Sequence, residues 1–197
     1  MVSLLFPVAA PRVRRSRAAG IFALALVPLG LFTLLPAGCS STSSARSVLQ
    51  VVEVNENQPL ESDVIKLVAG GSATVVEDAV AVQIRNTPHD TAMNLTADGP
   101  YGYVVLDRYD VQFEAGDAIP GVGGSLGWTV HTGETITGSL VVVPAALKTE
   151  PPLAGLYQGG EIVSIAHVTI TGHEATSNHP VSVGFTIQVN FANWEDR

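Results

Sequence analysis

Between Val181 and Phe191 the chain alternates without a fault. Val181, Val183, Phe185, Ile187, Val189 and Phe191 interleave with Ser182, Gly184, Thr186, Gln188 and Asn190. A period of two with six apolar residues on one side and none on the other fits only an extended strand, one face on a core and the other in water. No comparable stretch with a helical period of 3.6 occurs in the mature part of the chain. Val, Ile and Thr are frequent there, and clusters of Gly, Pro, Asn and Asp recur at short intervals. The fold class this implies is all-β.

Strands are predicted near Val48–Asn55, Val64–Val68, Ala73–Glu77, Val80–Asn86, Val104–Glu114, Gly127–His131, Glu134–Val143, Glu161–Gly172 and Val181–Phe191. In the fifth, Val105, Tyr109, Val111 and Phe113 are expected on one face, interrupted by Asp107, with Arg108, Asp110 and Gln112 on the other. His131-Thr132-Gly133-Glu134 reads as a hairpin turn with Gly133 at positive φ. Leu147, Leu153 and Leu156 suggest one or two helical turns in a crossover between sheets, limited by Pro151 and Pro152. Many short antiparallel strands joined by polar turns predict an immunoglobulin or fibronectin III-like antiparallel β-sandwich. Trp128 is expected between its sheets. The Cys…Trp…Cys signature of antibody domains is missing.

The N-terminus follows different rules. Arg12, Arg14, Arg15 and Arg17 precede an apolar run from Ile21 to Ala37, and Cys39, the chain's single cysteine, follows Ala37 and Gly38. A basic region, an apolar stretch and small residues form an export signal. The run falls short of the ~20 residues that span a bilayer comfortably, and Pro28 and Pro36 interrupt it. The segment ending at Cys39 resembles the bacterial lipoprotein box, in which a peptidase cuts before an acylated cysteine. The large aliphatic residue expected three places before the cysteine is displaced by one, with Pro36 in its place and Leu35 behind it. The resemblance implies lipid attachment at Cys39. Cleavage by the general signal peptidase, for example after Ala45, is the competing expectation and would release a soluble protein. The predicted organisation is a signal peptide over 1–38, a Ser-rich tether over 39–47 and one β-sandwich domain over 48–197. With no cysteine beyond Cys39, no intrachain disulfide can form. Ser40 is not the aspartate that retains lipoproteins in the inner membrane of enteric bacteria, so the outer membrane is favoured where one exists.

Removing residues 1–38 takes away four of the ten basic residues and none of the eighteen acidic ones, leaving a net charge of −12. A chain this acidic lacks the basic face that nucleic acid or anionic lipid requires.

Chemistry-bearing clusters are sparse. His173, Glu174 and His179 flank one predicted loop and are the candidates for a zinc or copper site, with His167 further away. Glu77-Asp78, Asp107/Asp110 and Asp98 are candidate oxygen ligands for calcium, although no Asp-x-Asp-x-Asp series with its turn glycine is present. As simpler readings, Glu77-Asp78 marks a kink between strands and Asp98-Gly99 a turn. Pro120-Gly121-Val122-Gly123-Gly124-Ser125 has neither the lysine nor the helix of a phosphate loop and reads as a loop between strands. No Gly-x-Ser-x-Gly occurs, and a thiol nucleophile is excluded because Cys39 lies at the anchor. Tyr101, Tyr103, Trp128, Tyr157 and Trp194 are the aromatics available for stacking on sugar; Trp194 is expected to fold back onto the sandwich edge.

The runs Val76–Val82, Leu106–Phe113 with Ile119–Val122, Glu150–Leu156 and Val181–Asp196 resemble a group of uncharacterised exported bacterial lipoproteins with an immunoglobulin-like β-sandwich. That resemblance implies fold and compartment and assigns no activity, cofactor or binding residue. The expected function is a membrane-anchored cell-envelope lipoprotein, held by palmitate-type acylation, that acts as a non-catalytic binding or structural module. Its partners would be the membrane, through Cys39, and an envelope protein. A calcium- or carbohydrate-binding module is the alternative, and a secreted hydrolase a weaker one.

Overall fold

A computed structural model of the chain describes residues 45–68, 72–90, 102–114 and 118–194. The predicted signal, Cys39, Asp98 and Tyr101 lie outside the described residues. Ten strands follow one another: β1 (Ser47–Val54), β2 (Leu60–Asp63), β3 (Lys66–Val68), β4 (Ser72–Thr74), β5 (Asp78–Pro88), β6 (Tyr103–Phe113), β7 (Val122–His131), β8 (Thr135–Val143), β9 (Glu161–Glu174) and β10 (Pro180–Ala192). They form a three-stranded sheet ordered β1-β5-β8, a five-stranded sheet ordered β2-β10-β9-β6-β7, and a small β3-β4 ribbon. The all-β expectation holds. Every pairing is antiparallel except that of β2 with β10.

The sheets pack through one hydrophobic core. Val80, Val82 and Ile84 of β5 and Leu140 and Val142 of β8 line it from one sheet. Val104, Val111, Val168, Ile170, Val189 and Phe191 line it from the other. The alternation of β10 is realised as predicted, with Thr186 and Gln188 exposed between buried Ile187 and Val189. Phe113 and Phe191 meet edge to face at 5.9 Å, a favoured aromatic geometry. Two polar groups stitch the sheets together: the Tyr109 hydroxyl donates to the Val141 carbonyl at 3.0 Å, and Asn86 Nδ2 to that of Val130 at 3.0 Å.

Strand β6 departs from the predicted faces. Its core residues are Val104 and Leu106, then Tyr109, Val111 and Phe113, while Val105 is only half-buried. The parity changes because the register slips between Leu106 and Arg108 on both sides of the strand. A bulge adds one residue and flips the side chains beyond it. Asp107, the residue that interrupted the predicted apolar face, occupies that bulge.

The turn after β7 is also different. Gly133 has the expected positive φ, 82°, but β7 and β8 lie in different sheets, so His131–Glu134 makes an arch between layers rather than a hairpin. The strands cannot pair because Asn86 of β5 fills the ladder position beside the turn: its N–H donates to Glu134 and its carbonyl accepts from Gly133 at 2.7 Å. Trp128 helps to close this side. It is half-buried, and its ring lies so close to Gly138 of β8 that a methyl group there would fall 2.2 Å from it.

The predicted crossover follows β8 as a four-residue helix, α1 (Ala145–Lys148), and a 3-10 segment over Leu153–Gln158, with Leu147, Leu153 and Leu156 buried. It carries the chain from the three-stranded to the five-stranded sheet. Residues Val122–Ser125, predicted as loop, begin β7 and pair with β6. Among the described residues no helix is long and apolar enough to cross a membrane.

Candidate functional site

The histidine loop is set by the β9-β10 hairpin, whose last pair is His173 with Pro180. Successive strand residues point to opposite faces, and that rule separates the predicted ligands. His173 points outward with His167, and its Nδ1 lies 2.8 Å from Asp107 Oδ2 in the β6 bulge. Glu174 points inward and is buried. Its carboxylate accepts the backbone N–H groups of Arg46 and Ser47, the latter at 2.7 Å, and the Ser177 hydroxyl at 2.5 Å. The backbone of His179 closes the turn, its carbonyl accepting the Glu174 N–H at 2.9 Å. His167 and His173 therefore lie on the face opposite Glu174, which serves as a structural clamp. The six residue steps from His167 to His173 span about 20 Å. Among the described residues no group of three or more His, Cys, Asp or Glu could hold a metal ion.

The acidic pairs are engaged as well. Asp78 lies 2.6 Å from Lys148 Nζ, and Asp107 faces His173. Asp110 accepts both Arg108 Nη2, at 2.7 Å, and Nε, at 3.1 Å. That two-pronged contact holds the Asp110 carboxyl below the usual carboxylate range and raises the Arg108 guanidinium. Burial pushes the Tyr109 phenol up, assisted by the charge of Glu77 and opposed by the bond to Val141. Trp194 folds back as expected, half-buried, its backbone N–H donating to Asp63 Oδ1 at 3.3 Å.

A concavity among the described residues lies elsewhere. An open groove of about 640 Å³ runs between the strand edges of β1 and β10, lined by residues 51–54, 57–59 and 184–188. The path of the chain creates it. After β1 the backbone leaves the three-stranded sheet through Asn55, Glu56 and Asn57, all at positive φ (46°, 54° and 61°). It then joins the five-stranded sheet as β2, which pairs with β10 only along Val189–Ala192. Among the described residues, β10 from Pro180 to Gln188 therefore has a strand neighbour on one side only, and so does β1. Val52, the extra residue of a bulge in β1, projects with 55% exposure. Half-buried Phe185 and Val51 supply apolar surface, and Gln58, Thr186 and Gln188 supply polar groups. Two flanking strand edges over a mixed, mainly polar surface match the chemistry of an extended polypeptide, which brings backbone donors and acceptors together with alternating side chains.

Sequence reasoning missed this groove. Its local signal is Asn55-Glu56-Asn57-Gln58-Pro59, a strand-breaking run where the chain changes sheets after β1.

No protein-family model matches the chain, and no curated protein does. Among solved structures, a crystal structure from Bordetella pertussis carrying the provisional name ApaA is similar at 14% identity, with a TM-score of 0.35, covering 74% of this chain and 94% of that one.

Proposed function

We propose that the chain is an exported, lipid-anchored lipoprotein of the bacterial cell envelope, akin to the uncharacterised lipoproteins it resembles, whose β domain is a non-catalytic module that binds an extended segment of an envelope protein. The observation that carries the anchor is the position of Cys39, the only thiol, directly behind a basic, then apolar, then small-residue segment. A single acyl chain binds a membrane marginally, whereas several anchor it stably. The residues between Cys39 and Arg46 then serve as a leash, shorter than the predicted 39–47 because Glu174 holds the N–H groups of Arg46 and Ser47.

The finer fold reading is an immunoglobulin-like sandwich. The strand orders β1-β5-β8 and β2-β10-β9-β6-β7 support it, together with the switch of the first strand between sheets and the parallel contact of β2 with the last strand. The two strand edges flanking the β1/β10 groove support recognition by strand addition.

Labelled palmitate fed to cells expressing the intact protein and Cys39→Ser tests the anchor. Label and membrane association confined to the intact protein are expected. An unlabelled, soluble wild type would sink the anchor. For the module, Val52→Lys introduces a charge at an exposed groove position and should abolish capture of the partner from solubilised membranes without lowering stability. Undiminished capture would remove the groove from the reading.

A further inference from the structure

Lys148 is the largest fully buried side chain among the described residues, with 0% exposure. Lysine is almost never fully buried unless it is paired, and Lys148 is held on two sides. Its Nζ donates to the Asp63 carbonyl at 2.7 Å and lies 2.6 Å from Asp78 Oδ2, whose side chain is 10% exposed. The second contact is an ion pair outside hydrogen-bond geometry, with Asp78 Oδ2 buried and close to the amine. The register of β5 shifts between Asp78 and Ala79, at the start of the strand beside the end of β8. The nucleophile and the acyl group thus come from the crossover and from the start of a core strand, and the fold presses them together.

We propose that Lys148 and Asp78 form an intramolecular amide cross-link. Two features favour the reaction. A buried pair of opposite charges carries a desolvation cost that its mutual attraction offsets only partly, and condensation removes both charges. Fixed contact also replaces a bimolecular encounter, an advantage equivalent to about 10⁵–10⁸ M for well-oriented groups. The step balances without a cofactor or an oxidant. A proton passes from the ammonium to the carboxylate, giving a neutral amine and a carboxylic acid. The nitrogen lone pair attacks Asp78 Cγ and a C–N bond forms. One Cγ–O bond then breaks, and that oxygen leaves as water with the acid proton and one proton from nitrogen. The remaining N–H keeps its bond to the Asp63 carbonyl. The product ties the start of β5 to the end of α1 and closes a covalent loop around β5, β6, β7 and β8.

Peptide mapping of the full-length protein, folded by circular dichroism and then denatured and digested with trypsin, tests this directly. Cleavage after Lys66, Arg85, Arg108 and Lys148 would release 67–85 and 109–148 as separate linear peptides. The expected result is instead one branched species, 67–85 joined to 109–197, uncut after Lys148 and lighter than its parts by the water lost in the cross-link. In Asp78→Ala, cleavage after Lys148 returns; in Lys148→Met, 67–85 appears alone. Both linear peptides at full mass from the folded wild type would overturn the cross-link. So would a water loss confined to peptide 86–108, where Asp98-Gly99 can cyclise by itself.

Discussion

Gly172 offers a stringent test of the β6 bulge. It lies on β9 opposite Leu106, where the register of β6 slips. A methyl group at this position would sit 2.0 Å from the Val105 carbonyl oxygen and 2.8 Å from Leu106 Cα. Both are backbone atoms of a strand bonded on its two sides, so no side chain can swing away to relieve the contact. Overpacking of this kind typically costs about 1–3 kcal/mol, and a rigid obstacle places Gly172→Ala at the upper end, about 3 kcal/mol. For a domain of about 150 residues that lowers Tm by roughly 6–12 °C. Two other glycines calibrate the measurement. At Gly184 a methyl group would lie 3.2 Å from the Val168 oxygen, and at Gly127 it would meet nothing within 4 Å. Thermal and urea unfolding should therefore rank Gly172→Ala as most damaged and Gly184→Ala as mildly affected. Gly127→Ala should be unchanged, or more stable by about 0.4–1 kcal/mol through a stiffer unfolded chain. A Gly172→Ala protein within about 0.5 kcal/mol of the parent, the range of a neutral surface change, would refute the close approach and the parity change with it.

Four further outcomes are expected. Glu174→Gln places an amide among three donors and should cost about 1–3 kcal/mol; hydrogen exchange at Arg46 and Ser47 should speed up while the far end of β1 is unaffected. Lys148→Ala should be destabilised by at least about 3–5 kcal/mol in urea unfolding, because it strands the buried Asp78, and Lys148→Met together with Asp78→Leu should recover only the part owed to that stranded charge, since both variants lack the amide. Tyr109→Phe should lose about 1 kcal/mol with the inter-sheet hydrogen bond. In the wild type the raised Tyr109 phenol contributes stability that is complete below the ordinary tyrosine pKa and lost as pH rises through it toward the folded value; spectrophotometric titration should find one phenol ionising late. Asp110 has the opposite sign: its depressed carboxyl supports the fold above the ordinary aspartate pKa, and that support disappears as pH falls through the folded value. The pair is exposed and screened by salt, so NMR titration of Asp110, with Arg108→Ala returning it to the ordinary range, is the appropriate readout.

The sequence revealed most where a local rule acts without competition. In β10 alternation is complete, and each side chain from Val181 to Phe191 lies on its expected face. The Pro-limited crossover could be read because Leu147, Leu153 and Leu156 have nowhere to go but the core. In β6 the same rule failed at one residue, since a pattern of period two cannot say whether an interruption is a polar substitution or an inserted residue. At Gly133 the turn chemistry was legible and the pairing was not, because a positive φ serves an arch as well as a hairpin. β2 escaped notice for its length, four residues with Ser62 and Asp63 buried. The groove was invisible for a different reason: its walls are brought together from residues 51–59 and 184–188 by a crossing between sheets, and no window along the chain contains both.

The residues that looked most like chemistry illustrate the same physics. Glu174 beside two histidines invites a metal, while Lys148 lies in the predicted crossover. In the fold both charged groups are buried, and each sits where the chain passes between layers. Glu174 of the five-stranded sheet receives the first backbone N–H groups of the three-stranded one. Lys148 of the crossover meets Asp78 of β5 and the carbonyl of Asp63 in β2. A sheet satisfies its own backbone within its ladders, whereas a strand end that enters or leaves a layer has donors and acceptors with no ladder partner. Side chains must supply those partners, and a charged group makes the stronger bond. The polar residues Glu174 and Lys148 are accounted for at such seams, and among the described residues the β1 and β10 edges, like those of β7 and β8, keep an open ladder side. Along β1 and the first nine residues of β10 no described strand supplies the missing partners, so an incoming extended chain can do for the groove what Glu174 does for β1.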